Sequence, residues 1–221
     1  MINLKKIYYE KYTKKSYSIS NVDLILDRIF SKIKKGVYID IGCNHPIKYN
    51  NTYLLYKKGW RGINIDLDFS SIDMFNRFRP KDYNKQIAIS KKKGLANFYF
   101  FHNRAPKNTI SKQSGKGAKI IKKIETDTLD NIIKKSNIKM KRIDFLSIDV
   151  EGNELNVLKG LNFKRYEPKI VVLEFIDPRI KEFYYHKIEK IMKSELYKFM
   201  KKKKYNLVNW IHDDLMFISK N

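Results

Sequence analysis

Acidic side chains recur at the ends of apolar runs, and their spacing suggests a binding site. The run 37–41 (VYIDI) closes on Asp40-Ile41-Gly42-Cys43-Asn44-His45-Pro46. Gly42 permits a sharp turn and a close approach of a ligand to the backbone, and the Asp40 carboxylate suits a cationic amino group. The next run, 62–67 (GINIDL), ends with Asp66, 24 residues after Gly42. An acid at that separation, on a neighbouring strand end, can accept both hydroxyls of a ribose; Asp68 can take over the capping of the next helix. Asn44 and Pro46 stand where a G-x-G-x-x-G turn needs glycines, which disfavours a pyrophosphate-binding dehydrogenase. Asp40 with Asp66 points to a nucleoside ligand without phosphate.

A second concentration, Asp149-Val150-Glu151-Gly152-Asn153-Glu154, follows the apolar run at 143–150. Three carboxylates at one strand end repel each other unless water, a metal or a substrate compensates them. Glu154 falls at a helix start, where an acid is favourable anyway. Glu174 lies inside IVVLEF, a strand buried on both faces, where a carboxyl needs a partner or a task. Its strand is expected beside that of Asp149, so the two carboxylates can face one cleft.

Positioning these groups requires strands alternating with helices. Helical spacing predicts helices over 22–34 (with Ser20 or Asn21 as cap), 51–58, 71–78, 128–135, 154–161 and about 183–201. Short apolar runs predict strands at 37–41, 62–67, 86–90, 95–101, 121–126, 143–150 and 170–175, then two more at 205–211 and 215–219 across the turn His212-Asp213-Asp214. The polar stretch 103–117, with Pro106, Gly115 and Gly117, reads as a loop. Such alternation implies a mostly parallel sheet covered on both faces, whereas strands joined by a tight turn must be antiparallel. No repeat or linker divides the chain, so 1–221 reads as one domain, with a helical extension at 1–35 and an insertion at 94–120.

The chain of 221 residues is 43% hydrophobic, enough for a core, and its net charge is +24. Only eight of its 47 basic residues are Arg. Readers of nucleic acid favour the planar guanidinium, so the lysines read either as a solvated coat or as a field for a polyanion, an acidic glycan or a membrane surface. No run reaches the ~18 apolar residues of a membrane span, charges occupy the place of a signal segment, and one cysteine cannot form an internal disulfide. These features predict a cytoplasmic protein without a transmembrane segment.

An α/β sheet ending in an antiparallel hairpin is the layout of class I (Rossmann-like) methyltransferases. The segments VYIDIGCNHPIKYNNTYLLYKKGWRGINIDLD, TLDNIIKK and IDFLSIDVEGNELNVLKGL, followed by IVVLEF, resemble the FkbM family of S-adenosylmethionine-dependent methyltransferases over roughly 37–175. The IDVEGNELNVLKGL stretch is the most specific part. The resemblance implies methyl transfer from S-adenosylmethionine to a hydroxyl, often of a sugar in a glycan or natural product. By position it implies that Asp40, Gly42 and Asn44 hold the methionine part, Asp66 the ribose, and Ile89 and Ser90 the adenine. Cys43 departs from the small Ala usual there, and the final helix and lysine-rich tail lie outside the likeness.

O-methylation requires an acceptor oxygen aligned with the methyl and stripped of its proton. Asp149, Glu151, Glu174 and His45 are the candidate bases. Asp149, Glu151 and Glu174 could instead hold a divalent metal, although metal-free catalysis is the favoured reading. His102, Arg104, Asn108 and Thr109 are assigned to the acceptor, a small molecule or a glycan. Two rivals remain: an RNA 2′-O-methyltransferase, encouraged by the charge but lacking a lysine where Glu174 stands, and a basic scaffold without turnover.

Overall fold

The computed structural model describes residues 13–103, 105, 107–136, 138–140, 142–175, 188–211 and 213–220. In chain order the elements are α1 (Val22–Ile29), β1 (Val37–Ile41), α2 (Tyr53–Lys57), β2 (Arg61–Asp66), α3 (Phe69–Phe78), β3 (Tyr83–Gln86), β4 (Ala88–Ile89), β5 (Gly94–Phe100) and β6 (Ile120–Asp127). Then follow α4 (Leu129–Lys135), β7 (Phe145–Ile148), α5 (Glu154–Lys159), α6 (Phe163–Tyr166), β8 (Ile170–Glu174), α7 (Ile188–Lys193), α8 (Glu195–Lys202), β9 (Tyr205–Ile211) and β10 (Asp214–Ser219).

Seven strands form one sheet in the order β3-β2-β1-β7-β8-β10-β9. All run parallel except β10, which is antiparallel to both its neighbours. This is the class I methyltransferase layout. Strand order reverses between β1 and β7, and in such sheets the crevice beyond the carboxyl ends at that point is where ligands bind.

Alternation along β1 sends its side chains to two different cores. Ile39 and Ile41 join Ile63, Ile65, Leu146, Ile148, Val171 and Leu173 under α4, α5 and α8. Tyr38 joins Phe145, Ile170 and Val172 on the opposite face, packed against Val22 and Leu26 of α1 and Leu55 of α2. Asp40 shares the Tyr38 face. Burying each such aliphatic side chain contributes about 1.5–3 kcal/mol, so one residue of register slip would forfeit both cores at once.

Local chemistry sets several element ends. Asp68 caps α3, accepting from the Ser71 amide at 3.0 Å. Thr128 caps α4 by accepting from Asn131 at 3.2 Å. The region predicted as one helix over 183–201 lies partly outside the described residues; within them it is two helices. Ser194 separates α7 from α8, donating to the Ile191 carbonyl at 2.6 Å and accepting from the Tyr197 amide at 3.1 Å. The first helix ends at Ile29 rather than 34 because the chain turns at Phe30, whose ring packs on Trp60 with centroids 4.9 Å apart.

The predicted strand at 86–90 divides. Residues Tyr83–Gln86 complete the edge of the main sheet, whereas Ala88–Ile89 leave it to pair with β6. A second, three-stranded sheet results, ordered β4-β6-β5. It accounts for the aromatic strand at 94–100 and for much of the insertion expected at 94–120.

Candidate active site

Beyond the carboxyl ends of β1, β2 and β7 lies a cavity of about 480 Å³, closed on one side by the second sheet. That volume is in the range of sites for small ligands. Of the residues expected to bind cofactor, Gly42, Asn44, Asp66 and Ile89 line it, as do Asp149, Glu151, Asn108 and Thr109 from the other expectations.

Gly42 has φ +79°, and a Cβ there would sit 1.6 Å from the Asp149 carbonyl oxygen. The close approach it permits includes that of the chain leaving β7: it lets Asp149 be drawn against β1, with its amide donating to Ile41 O at 2.9 Å. Asn44, at φ 50°, donates its amide to Asp66 Oδ2 at 2.8 Å, and the Asp68 amide donates to Asp66 Oδ1 at 2.8 Å. Each Asp66 oxygen keeps a lone pair for another donor. Burial pushes the Asp66 carboxyl up to about 6.

Asp40 lies elsewhere. It is buried on the Tyr38 face, where its Oδ2 accepts from Asn50 Nδ2 and Thr52 Oγ1, each at 2.9 Å. It braces the loop after β1 from beneath instead of lining the cavity. Ser90 is also outside the lining, its amide donating to Asp127 O at 2.9 Å. Cys43 is buried beside Ile72 and Phe75, its thiol pushed well up by burial, as suits a small packing residue.

The acidic turn after β7 is built as a unit. Glu154 Oε1 accepts from the Val150 and Gly152 amides at 3.1 and 3.0 Å, so this carboxylate holds the turn, as its helix-start position predicts. Asn153 Nδ2 donates to Ile89 O at 2.9 Å and ties the turn to β4. Glu151 is left-handed at φ 56° and borders the cavity. Burial, reinforced by the charge of Glu154, pushes its carboxyl up to about 7.

One carboxylate oxygen from each of Asp149, Glu151 and Glu174 lies within 4.8 Å of the others. Glu174 Oε2 is buried and has no hydrogen-bond partner among the described residues. Burial, then the adjacent Asp149 charge, raises the Glu174 carboxyl strongly; burial also raises Asp149, which hydrogen bonding to Glu174 opposes. Two carboxyls this close cannot both ionise, so the pair shares one proton. Asp149 is the more exposed of the two, and the hydrogen bond between them lowers its carboxyl while raising that of Glu174, which favours the proton on Glu174. The three oxygens are also close enough for a divalent ion, but the shared proton already offsets part of their charge.

His45 does not join this cluster: its Nδ1 accepts from the Ile47 and Lys48 amides at 3.1 and 3.0 Å, closing the turn after Pro46. Among the residues assigned to the acceptor, His102 is exposed and outside the lining, with Nδ1 3.0 Å from Asn103 O, and Arg104 lies outside the described residues. Asn108 lines the cavity while its side chain bonds Phe101 N and His102 O at 2.9 Å each.

Thr109 has a task the sequence did not signal. Only 1% exposed, its hydroxyl lies 3.0 Å from Glu151 O and 3.3 Å from Val150 O and accepts from the Ser111 amide at 3.0 Å. The predicted loop is thereby fastened onto the acidic turn, and Gly152, at φ +92°, leaves room for Ser114 there: a Cβ would lie 2.4 Å from its Oγ. Thr109→Val leaves buried polar groups unpaired, at a cost of about 1–3 kcal/mol. Hydrogen exchange at 109–115 should accelerate about tenfold or more; unchanged protection would show that Thr109 does not fasten the loop.

Residues 40–199, more than two thirds of the chain, match the model of the methyltransferase FkbM domain. The chain belongs to the FkbM methyltransferase family. No curated protein sequence matches it. Among solved structures, this FkbM-domain chain is similar to a TehB-like SAM-dependent methyltransferase from Corynebacterium glutamicum, with 11% identity, 98% of this chain and 94% of that one covered, and a TM-score of 0.46. It is also similar to an O-methyltransferase from Bacillus cereus in complex with SAH (10% identity, 98% and 88% covered, TM-score 0.43) and to the 16S rRNA methylase ArmA (12%, 97% and 94%, 0.41). No residue role passes from these distant structures to the FkbM-domain chain.

Proposed function

We propose that this FkbM-domain protein is an S-adenosylmethionine-dependent O-methyltransferase acting on a hydroxyl of a sugar in a glycan or glycoconjugate. The observation that carries the reading is the Asp149–Glu174 pair, a proton acceptor at the cavity floor in a chain that otherwise bears an excess of positive charge.

The residues present fit the cofactor. Asp66, with two amides already donating to it, offers free lone pairs to a ribose diol, and Ile65, Ile87 and Ile89 supply an apolar wall for a base. Asp149 and Glu151 give the cavity a negative field that favours a cation. S-adenosylmethionine, when bound, supplies a methyl already activated by its sulfonium. What remains for the protein is to orient the acceptor oxygen and take its proton. In this reading Asp149 accepts that proton, Glu174 holds Asp149 in place by donating to it, and Glu151 is a second acid at the rim. Asn108 and the Phe98 and Phe100 rings face the side left for the acceptor. No metal is needed for these steps.

Calorimetry with S-adenosylhomocysteine tests the cofactor half. Asp66→Asn should weaken binding about 10- to 100-fold, the worth of hydrogen bonds to a charged acceptor. Affinity of the native protein should fall as pH drops through about 6, where Asp66 takes up a proton. Native affinity in Asp66→Asn would refute the ribose assignment. The acceptor half is tested by transferring a labelled methyl to a panel of oligosaccharides and locating it by NMR. A methyl on nitrogen or carbon would overturn O-transfer.

A further inference from the structure

From Lys91 to Glu125, about a sixth of the chain, the sequence carries nine lysines and one arginine against a single acid, more than a third of the whole net charge. Net positive charge is therefore concentrated here, because the segment's lysines are almost unopposed by acids. The same segment forms the β5–β6 ribbon, on which Lys91, Lys92, Lys93, Lys119, Lys122 and Lys123 are all exposed.

Apolar side chains stand among them. Leu95 is 70% exposed, Ile121 59% and Ile120 53%. The register Leu95↔Glu125, Asn97↔Lys123 and Tyr99↔Ile121 puts Leu95 and Ile121 on one face with Lys123 between them. On that face the Tyr99 ring is covered by the backbone at Gly115, next to exposed Lys116. The other face carries Phe98, Phe100 and Lys122, which line the cavity, and Ile120, paired with Phe100, stands at its rim.

We propose that the outer face of the β5–β6 ribbon docks the protein on an anionic lipid bilayer, Leu95 and Ile121 entering the headgroup region while the lysines meet lipid phosphates. Exposed aliphatic side chains with Lys123 between them and Lys91–Lys93 just before Leu95 match the two signals that peripheral membrane binding requires, apolar burial and attraction to anionic lipid. A nucleic acid would use the lysines but give the aliphatic side chains nothing to bury against, since its own surface calls for aromatic stacking or guanidinium groups. The docking face and the cavity are opposite sides of one ribbon, so a membrane-held protein would keep its cavity at the bilayer edge. No helix among the described residues is long and apolar enough to cross a membrane, and the docking does not require one.

The test is co-sedimentation of the full chain with phosphatidylcholine vesicles containing 30% phosphatidylglycerol or none, at about 0.15 M salt. The anionic vesicles should bind at least about tenfold more protein. Leu95→Ser/Ile121→Ser, which alters no charge, should lower that partition about tenfold or more; Lys91→Gln/Lys92→Gln/Lys93→Gln should also lower it. Circular dichroism identical to the native protein's excludes misfolding as the cause. Equal binding to neutral and anionic vesicles would overturn the proposal. So would an undiminished partition of the serine variant, or binding to a 20-nucleotide RNA that exceeds vesicle binding and is insensitive to the serine substitutions.

Discussion

Asp149→Asn is expected to lower kcat by about 10²–10⁴-fold, the usual worth of a positioned general base, while S-adenosylhomocysteine binds about as well as before. The asparagine fills the same space beside Gly42 but cannot take the acceptor's proton. In the native protein the rate should climb with pH, because burial raises the Asp149 carboxyl and its protonated form is no base. That climb should vanish in the variant. Glu174→Gln offers a contrasting result, since an amide N–H can donate to Asp149 where the carboxylic acid did, so most activity should survive with the pH profile shifted. Should Glu174→Gln instead be as inactive as Asp149→Asn, Glu174 acts directly or both carboxylates bind a metal. Activity lost to EDTA and restored by Mg²⁺ would decide for the metal.

Arg79→Met should be the most damaging substitution for stability. Its guanidinium is completely buried on the Tyr38 face, donating to Pro46 O at 3.0 Å, Thr52 Oγ1 at 2.8 Å and Asn50 Oδ1 at 2.8 Å. It lies 4.9 Å from the Phe75 ring centroid and 5.2 Å from that of Tyr56. Its charge also opposes the burial that raises the carboxyls of Asp40 and of Asp82, a buried residue that accepts from the Tyr38 hydroxyl at 2.5 Å. Removing it leaves both carboxyls without their cation, at a cost of about 3–5 kcal/mol. For a chain of this length the midpoint should fall by roughly 6–20 °C.

The pH dependence of that loss has a definite sign. Asp40 and Asp82 already have folded values above the unfolded 3.8, so each contributes most below that value and progressively less as pH rises through the folded one. Without Arg79 both folded values rise further, and the variant should lose more at pH 7 than at pH 4. Asp40→Asn added to Arg79→Met should recover part of the deficit at pH 7. Equal losses at both pH values, measured by urea unfolding, would show that Arg79 contributes packing alone.

The two experiments meet at the end of β1. Asp40 and Gly42 are two residues apart, yet Gly42 admits Asp149 to the cavity while Asp40 holds the loop after β1 through Asn50, Thr52 and the Arg79 network. The sequence marks both as site residues because they share a turn, but which way Asp40 faces depends on the elements packed below β1. Arg79, the centre of that network, carries no sequence signal: an arginine just after a helix reads as a solvated end. Only the fold, which sets the end of α3 beside Tyr38 of β1 and Tyr53 and Tyr56 of α2, makes it a buried cation.

What the sequence by itself determined is whatever rests on local pattern. Apolar runs of four to eight residues ending in turns mark β1, β2, β7 and β8; the turn at 212–214 marks the closing hairpin; Asp68 and Thr128 mark helix starts; and the family resemblance rests on contiguous segments. These are short-range effects of strand alternation, capping and turn chemistry, available wherever a few neighbouring residues are known. The tertiary structure alone decided the division of 83–89 between two sheets, the anchoring of Thr109 on the acidic turn, and the hydrogen bond between Asp149 and Glu174. Each depends on groups distant in sequence being brought within hydrogen-bond range, and on burial that raises a carboxyl's affinity for its proton. A linear pattern records residue types; it does not record which of them lose water together.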